Sequence, residues 1–241
     1  MKILYDKFNS EIFQMQMGNI VDYPQELGIA LLQQTVDRAL DEGYGHLNVK
    51  VPVNYKRVGN VFLKFGFELV DTQLMYCLSN ISGGGTENKL FQYREFKEND
   101  LQQIVSIAKN AYVLDQYHSD TFLDDSLCDH YYVEWIKNCC HGLADKVMVA
   151  EIQGKGVVGY ISLNIGEDSA TVGLAAVDER YRGLGCFTFL IGKTLQMLRI
   201  GGKSKLYYGT QLSNDPVLKT MGKFNGYVEY SNHVMYLMIK K

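Results

Sequence analysis

Proline is scarce in this chain of 241 residues, and both long apolar runs and an excess of basic charge are missing. With three prolines in all, no segment has the composition of a disordered tail. No stretch approaches the roughly 18 consecutive apolar residues of a membrane-spanning helix. The opening residues MKILYDKFNS have no sustained apolar core, so we expect no signal peptide. These absences predict a cytoplasmic protein without a membrane partner.

The charge balance and the cysteines exclude two further classes. Lysine and arginine number 24 against 27 acidic residues, which gives a net charge of −3 and argues against a nucleic-acid partner. The cysteines are odd in number and lack the paired spacing of zinc sites, so we expect no metal and no disulfide framework. They are most simply small buried residues in a reducing compartment: Cys77, Cys128, Cys139, Cys140 and Cys186.

A glycine-rich segment divides the chain into two parts. The sequence NISGGGTENK begins at Asn80 and predicts a flexible linker at residues 81–89, between a half at 1–80 and a domain at 90–241. The sequences GFELVDTQLMYCL from Gly66 and GYVEYSNHVMYLM from Gly226 keep a Gly–aromatic pair and a Met–Tyr pair in the same register. Because each sequence ends its half, the two halves are interpreted as a degenerate repeat.

The first half has the pattern β-α-β-α-β. Its segments, in order, are a strand at EIFQMQM (11–17), a helix at 27–40, a strand at 46–53, a helix at 57–65 and a strand at 69–78. The half contains no counterpart of the glycine-rich turn described below. We interpret it as a scaffold or as a homodimer surface.

The second half carries the pattern on which a function can be argued. A strand at LFQYREF and two helices precede three strands joined by the short turns QGKG and GED, which predicts an antiparallel meander. The third strand, SATVGLAAV, leads into YRGLGCF (Tyr181–Phe187) and an amphipathic helix. A further strand (SKLYYGT), a helix and a final strand complete a mixed α+β sheet.

The turn YRGLGCF has the residues of an anion site. Free N–H groups and the positive end of the helix dipole attract an anion without any side chain. Gly183 and Gly185 let the backbone approach the anion closely, and Arg182 adds a fixed cation suited to phosphate. Gly185 is not followed by the Lys–Ser/Thr pair of a P-loop, and the hairpin-linked strands exclude a dinucleotide fold. The turn therefore predicts a pyrophosphate cradle.

The element order and the turn together resemble the GNAT superfamily of acetyl-CoA-dependent N-acetyltransferases. The superfamily motif Q/R-x-x-G-x-G/A maps onto Arg182–Phe187, with Phe187 where a small residue is usual. More narrowly, GFELVDTQ, YHSDTF and GTQLSND resemble the TDP-fucosamine acetyltransferase branch, which acetylates a nucleotide-linked amino sugar. The resemblance implies a mixed, mostly antiparallel sheet flanked by helices, preceded by a smaller degenerate half, with acetyl-CoA as donor and no metal.

The resemblance also implies the coenzyme site. The strand before the turn splays away from the strand at 206–210, and a backbone N–H near Leu174 or Ala175 polarises the thioester carbonyl. Asn214 matches the asparagine of the family's N-x-x-A stretch and either touches the coenzyme or caps a helix. The expected coenzyme-binding residues are Leu174, Ala175, Ala176, Val177, Arg182, Gly183, Leu184, Gly185, Cys186, Phe187 and Asn214.

Residues for the acceptor amine and its deprotonation are expected in the loop before the second helix. His118 is a candidate base because its ordinary pKa lies near 6.5, Asp120 would orient it or bind a hydroxyl group, and Tyr117 would stack on the acceptor. Glu151 would act as a base through ordered water, with a solvent-facing ladder charge as the alternative. His233 is a further acceptor-binding candidate, and a solvated polar loop remains the alternative for 114–125.

The departing thiolate needs a proton, and here the sequence departs from the family. The helical position that holds a tyrosine in the family is Gly222. Tyr207 or Tyr208 on the neighbouring strand, or water, would then supply the proton. Cys186 is not interpreted as a nucleophile, since no His–Asp pair is placed to activate it.

These features predict direct attack by the amine of a small molecule on acetyl-CoA. A nucleotide-linked amino sugar is the favoured acceptor. An amino acid, a polyamine or a protein N-terminus remains open, because acceptor loops vary freely on one scaffold. A coenzyme-binding or structural module with weak catalysis is the non-enzymatic alternative.

Overall fold

The computed structural model describes residues 1–79 and 87–239. These residues form two compact units. The first unit contains the described parts of Met1–Leu74, Leu114–Cys128 and Tyr230–Lys241, and the second contains those of Met75–Val113 and Asp129–Glu229. The predicted linker at 81–89 lies outside the described residues except at Glu87–Lys89.

Ten strands and seven α-helices are found within the described ranges. The strands are β1 (Lys2–Tyr5), β2 (Met17–Val21), β3 (His46–Pro52), β4 (Glu68–Leu78), β5 (Gln92–Glu95), β6 (Lys146–Ile152), β7 (Gly156–Ile165), β8 (Ser169–Val177), β9 (Lys205–Gln211) and β10 (Tyr227–Met238). The helices are α1 (Lys7–Phe13), α2 (Ile29–Asp41), α3 (Lys56–Phe65), α4 (Leu101–Ala111), α5 (Asp125–Asn138), α6 (Cys186–Ile200) and α7 (Asp215–Lys223). The prediction of a mixed, mostly antiparallel sheet flanked by helices is confirmed.

In the first unit, β2 pairs with β1 antiparallel and with β3 parallel. The end of the chain supplies the next strand, since β10 pairs antiparallel with β3 from Asn232 opposite Pro52 to Met238 opposite His46. The helices α2 and α3 cover a core that includes Leu32, Leu47 and Phe62. The last strand of the chain is therefore part of the fold of its first residues.

In the second unit, the predicted meander is present as β6, β7 and β8, joined antiparallel, with β5 on the outer side of β6. β8 then pairs parallel with β9 after the crossover through α6. Buried faces of α6 and the sheet form the core, with Leu190, Ile191 and Leu206 fully buried. Both units therefore contain a parallel strand pair joined by one helix, β2-α2-β3 and β8-α6-β9, which supports the interpretation of two related halves.

One predicted element is wrong. The strand expected at residues 11–17 is replaced by helix α1 up to Phe13, and β2 starts only at Met17. The side chain of Asp6 caps α1 by accepting the N–H of Asn9 at 3.1 Å, and Gln14 ends it in the left-handed region at φ 53°. The apparent alternation in EIFQMQM reflects a helix end followed directly by a strand start.

Candidate functional site

The glycine-rich turn has the backbone conformation that its sequence demands. A short 3₁₀ turn at Glu179–Tyr181 follows β8, and the chain then passes through Gly183 at φ 78° and Gly185 at φ 82°. Both values lie in the left-handed region, which only glycine adopts without strain. Gly185 is the N-cap of α6, and its carbonyl oxygen accepts a hydrogen bond from the N–H of Phe189 at 2.9 Å.

The turn is open and the helix behind it is fixed. Residues 182–185 are exposed, whereas Cys186 at the start of α6 is buried. N–H groups of the first helical turn have no intrahelical acceptor, and the helix dipole adds a partial positive charge. Arg182 is exposed, and its Nε lies 3.4 Å from the carbonyl oxygen of Val177. This arrangement suits a phosphate group.

The strands β8 and β9 separate beside this turn. Their parallel register runs from Ser169 opposite Lys205 to Val172 opposite Tyr208. β8 continues to Val177 and β9 to Gln211, and across this stretch β8 pairs only with β7 among the described strands. The two strands therefore leave an opening of unpaired backbone that starts at Val172 and Tyr208, as the GNAT resemblance implies.

Only one of the two expected oxyanion donors faces this opening. The N–H of Leu174 donates to Oγ of Ser162 at 2.7 Å, and that hydroxyl donates back to the Leu174 carbonyl at 3.3 Å. Leu174 thus directs its backbone groups toward β7. Because successive N–H groups of a strand point to opposite edges, the N–H of Ala175 points toward the β9 side. Ala175 is the better placed donor.

Phe187, which departs from the family motif, packs against the core of the second unit. Its ring meets that of Tyr208 edge-on at 5.7 Å between centroids. Tyr208 is buried, and burial raises the pKa of its hydroxyl group well above the ordinary range. The neighbouring Cys186 is 2% exposed, and burial raises the pKa of its thiol to about 12. A thiol in this state is a poor nucleophile.

Two further positions that the sequence singles out, Asn214 and Gly222, lie at the start of α7 and within it. Asn214 stands at the start of α7, but its side chain makes no capping hydrogen bond, so capping does not account for it. Gly222 lies in α7, and a Cβ placed there would meet no atom within 4 Å. No close contact therefore requires a glycine at the position that holds a tyrosine in the family.

Glu151, a candidate base, is held by an ion pair. Its Oε2 accepts from Nε of Arg94 at 2.5 Å, while the two Nη groups of Arg94 donate to the carboxylate of Asp100 at 2.6 and 2.8 Å. The guanidinium lowers the pKa of the Asp100 carboxyl. This fixed network across β5 and β6 favours a structural role for Glu151.

The acceptor candidates lie in the first unit, whereas the coenzyme candidates, Glu151 and Tyr208 lie in the second. Nδ1 of His118 lies 2.5 Å from Oδ2 of Asp115. Asp115 is buried, and its Oδ1 accepts the N–H of Tyr117 at 2.8 Å. Because a carboxylate only accepts, Nδ1 carries the proton, and a neutral ring then has its lone pair on Nε2. This is the tautomer of a histidine general base.

Asp120, the partner that was expected for His118, contacts His46 instead. Asp120 is buried and its Oδ2 lies 2.9 Å from Nε2 of His46, which is itself fully buried. Asp115 therefore replaces Asp120 as the carboxylate on His118. Tyr117 is 5% exposed and accepts from the side-chain amide of Asn9 at 3.1 Å.

His233 on β10 lies near the start of the strand's pairing with β3. Its Nδ1 is 3.1 Å from the hydroxyl group of Thr72 on β4, and its backbone is opposite Val51. These contacts fix the ring within the sheet of the first unit.

Sequence reasoning missed two residues. The first is Asp115, and its D-x-x-H spacing to His118 in a polar loop was a signal for it. The second is Thr210 on β9, in the stretch beyond the pairing with β8. It is 2% exposed, and its hydroxyl group has no hydrogen-bond partner among the described residues. Nothing in the sequence distinguishes this threonine from a core residue.

Among residues 1–79 and 87–239, no helix is both long and apolar enough to cross a membrane. The same residues contain no cluster of three or more His, Cys, Asp or Glu side chains that could hold a metal ion.

Comparison with known proteins agrees with this geometry. Residues 110–227 match the sequence model of the acetyltransferase (GNAT) family. No curated protein of known function matches the sequence.

Solved structures match the chain at low sequence identity. A GCN5-related N-acetyltransferase from Sphaerobacter thermophilus aligns over 100% of this chain and 76% of its own, with TM-score 0.71 and 11% identity. A tandem GNAT protein from the clavulanic acid biosynthesis pathway aligns over 92% of this chain and 74% of its own, with TM-score 0.61 and 12% identity. A glucosamine N-acetyltransferase region of a fungal β-N-acetylglucosaminidase aligns over 98% of this chain and 31% of its own, with TM-score 0.68 and 12% identity. The chain thus has the GNAT fold, and its residues 110–227 match the sequence model of the GNAT acetyltransferase family.

Proposed function

We propose that the protein transfers the acetyl group of acetyl-CoA to the amine of a small molecule, and that the acceptor is a nucleotide-linked amino sugar. The observation that carries the proposal is the open turn at the start of α6 beside the separated strands β8 and β9. The turn offers N–H donors and Arg182 to a diphosphate, and the opening offers unpaired backbone to the pantetheine arm.

The residues divide the work as follows. The N–H of Ala175 stabilises the oxyanion that forms on the thioester carbonyl, and a fixed donor of this kind contributes about 10²–10³ in rate. His118, oriented by Asp115, takes the proton of the attacking amine. Tyr208 stays a candidate for returning a proton to the thiolate, with Tyr207 or water as the alternatives; burial raises the pKa of the Tyr208 hydroxyl group, which makes it the weaker acid. No acyl-enzyme is needed, so Cys186 has no covalent role.

The acceptor class is supported by sequence phrases. The stretches GFELVDTQ, YHSDTF and GTQLSND resemble the TDP-fucosamine branch, and YHSDTF contains Tyr117, His118 and Asp120. Amino acids, polyamines and protein N-termini are the competing acceptors.

The cradle is tested by substituting its glycines singly. Gly183→Val and Gly185→Val each force a β-branched residue into the left-handed region, which costs about 1–2 kcal/mol, and place a side chain where the anion would lie. We expect the affinity for acetyl-CoA, measured by calorimetry, to fall by about 100-fold or more, since charge-assisted hydrogen bonds to the diphosphate are lost.

A matched control lies at the other end of the same helix. Gly202 has φ 74° and, like Gly183, has no atom within 4 Å of an added Cβ, so Gly202→Val carries similar strain far from the cradle. We expect its acetyl-CoA affinity to match that of the wild type. Wild-type affinity in both cradle variants would overturn the proposal. Acetyl-CoA binding without turnover on any amine would point to a coenzyme-binding module instead.

A further inference from the structure

The proposed base, His118, lies on a short turn with a carboxylate at each end. The N–H of Ser119 donates to the carbonyl oxygen of Asp115 at 3.1 Å, and the N–H of Asp120 donates to that of Tyr117, also at 3.1 Å. Asp115 contacts the imidazole of His118 within this turn. It therefore orients the ring relative to the turn, but it does not fix the turn relative to the rest of the protein.

Asp120 connects the turn to a strand of the first unit. Its Oδ1 accepts the N–H of Phe122 in the loop at 2.9 Å, and its Oδ2 lies 2.9 Å from Nε2 of His46. Because a carboxylate only accepts, Nε2 of His46 carries the proton and donates it. His46 is fully buried at the start of β3, opposite Met17 of β2 and Met238 of β10. The anchor of the turn is therefore a strand that is paired on both sides.

A second contact holds the residue just before His118. The hydroxyl group of Tyr117 accepts from the side-chain amide of Asn9 at 3.1 Å, and the ring of Tyr117 lies 5.4 Å from that of Phe13 between centroids. Both partners belong to α1. The turn is thus attached on each side of His118 to side chains from the first residues of the chain.

Packing alone does not account for a polar pair between His46 and Asp120. Nδ1 of His46 is buried, and it has no hydrogen-bond partner among the described residues. A buried polar atom without a partner lowers stability, and apolar side chains of similar volume are often as stable as a buried charged pair or more so. What the pair offers instead is direction, because its hydrogen bond forms in only one position of the Asp120 carboxylate.

We propose that His46 is a positioning residue for the base: through Asp120 it holds the turn so that His118 keeps one orientation and one tautomer. The role of His118 as a base rests on the proposed function, whereas the anchoring of the turn does not. The first half, interpreted from the sequence as a scaffold or a dimer surface, then contributes to the reaction by building the acceptor loop. A displacement of a reacting group by about 1 Å costs about 10²-fold in rate.

The first test is NMR of the full chain, labelled with ¹⁵N at histidine, without acetyl-CoA or amine. At about pH 8 an imidazole of ordinary pKa is neutral, and we expect the wild-type His118, assigned by comparison with His118→Ala, to carry its proton on Nδ1 alone. His46→Leu removes the donor to Asp120, and we expect the two His118 nitrogens to show averaged signals of both tautomers. His46→Gln keeps an N–H donor at the end of the side chain, so we expect the single tautomer to return.

Two further variants separate anchoring from general loss of stability. Asp120→Asn offers one acceptor where Phe122 and His46 need two, so we expect averaged His118 signals without the loss of a histidine. Val49→Ala is the matched control, because Val49 is buried on the same strand but belongs to the core under α2 and α3. We expect it to lower the melting temperature and to leave the His118 signals unchanged.

Kinetics with acetyl-CoA and TDP-fucosamine then test the effect on the reaction. We expect His46→Leu to lower kcat by at least tenfold with the Kd for acetyl-CoA unchanged, and to cause no further loss in a His118→Ala background. Wild-type His118 signals in both His46→Leu and Asp120→Asn would overturn the proposal, and so would averaged signals in Val49→Ala. No turnover of TDP-fucosamine by the wild type would contradict the proposed acceptor instead, and the NMR signals would still decide whether His46 holds the turn.

Discussion

His118 and Asp115 form the pair on which the proposed proton transfer depends. Asp115 is 3% exposed and receives two further backbone N–H groups, from Tyr117 at 2.8 Å and from His118 at 3.3 Å. A carboxylate held in this way cannot swing away from the imidazole. It fixes both the orientation of the ring and the nitrogen that carries the proton, which are the two functions of a carboxylate behind a general base.

We predict that His118→Ala lowers kcat by about 10²-fold, the usual contribution of general base catalysis, and leaves the Kd for acetyl-CoA unchanged. Asp115→Asn keeps the histidine but allows the wrong tautomer, so we expect a smaller loss of kcat, about tenfold. Steady-state kinetics with a cognate amine and calorimetry with acetyl-CoA give the two quantities.

The control for this pair is His130→Ala. His130 lies on α5 with a half-exposed side chain, 4.0 Å from Glu134, and its removal should change neither quantity. An unaltered kcat in His118→Ala would remove His118 from the mechanism. Loss of coenzyme affinity in the same variant would instead assign it a structural role.

Single residues show where sequence reasoning stops. The turn conformation at Gly183 and Gly185 was predictable, because it depends on the backbone alone and glycine is the residue that adopts it. The partner of His118 was not, because Asp115 and Asp120 are both aspartates of the same loop. Which of them meets His118 depends on His46, a residue distant in sequence that binds Asp120 at 2.9 Å.

At the scale of single elements, α7 is where the chain departs most from the GNAT pattern that it resembles. The helix runs from Asp215 to Lys223 and contains Gly222 in its last turn, where the family has a tyrosine. Glycine in a helix is destabilising by about 0.5–1 kcal/mol relative to alanine. A position that has room for a Cβ and yet holds glycine suggests that thiolate protonation is not carried by this helix.

We predict that Gly222→Tyr raises kcat when protonation of the thiolate limits the reaction, by up to about 10²-fold, because it restores a positioned acid. Gly222→Phe has nearly the same size and helix propensity without the hydroxyl group, and we expect it to leave kcat unchanged. The comparison is made by stopped-flow release of the coenzyme thiol. An equal gain in both variants would show that packing, and not proton donation, is responsible. An equal rate in the wild type and both variants would leave Tyr208 or water as the sufficient donor.

Elements defined by local patterns were predicted well. The meander β6-β7-β8 follows from short turns and alternation, and α6 follows from its apolar stripe behind the glycines. The helix α1 was missed because a seven-residue helix gives little periodicity, although Asp6 is a typical N-cap residue. Pairing of β10 with β3 could not be predicted, because no local feature of either strand specifies a partner some 180 residues away.

At the scale of the whole molecule, the pairing of β10 with β3 makes the first residues of the chain necessary for the folding of its last strand. The segment from Asn232 to Met238 is in register with β3 over seven residue pairs. Asp120 and Tyr117 likewise have their partners, His46 and Asn9, among the first residues. Removal of the first residues leaves the carboxylate of Asp120 buried without its partner and the edge of β10 unpaired. The cost is several kcal/mol, whereas typical domains are stable by only about 5–15 kcal/mol.

We therefore predict that residues 87–241 expressed alone do not unfold cooperatively and do not bind acetyl-CoA, even though they contain the whole cradle. Thermal denaturation followed by circular dichroism, together with calorimetry, compares this fragment with the full chain. Coexpression with residues 1–79 as a separate chain is expected to restore both properties, because strand pairing needs proximity and not a covalent link. A fragment that folds alone and binds acetyl-CoA with full affinity would show instead that the second half is an autonomous domain, and that β10 finds another place without β3.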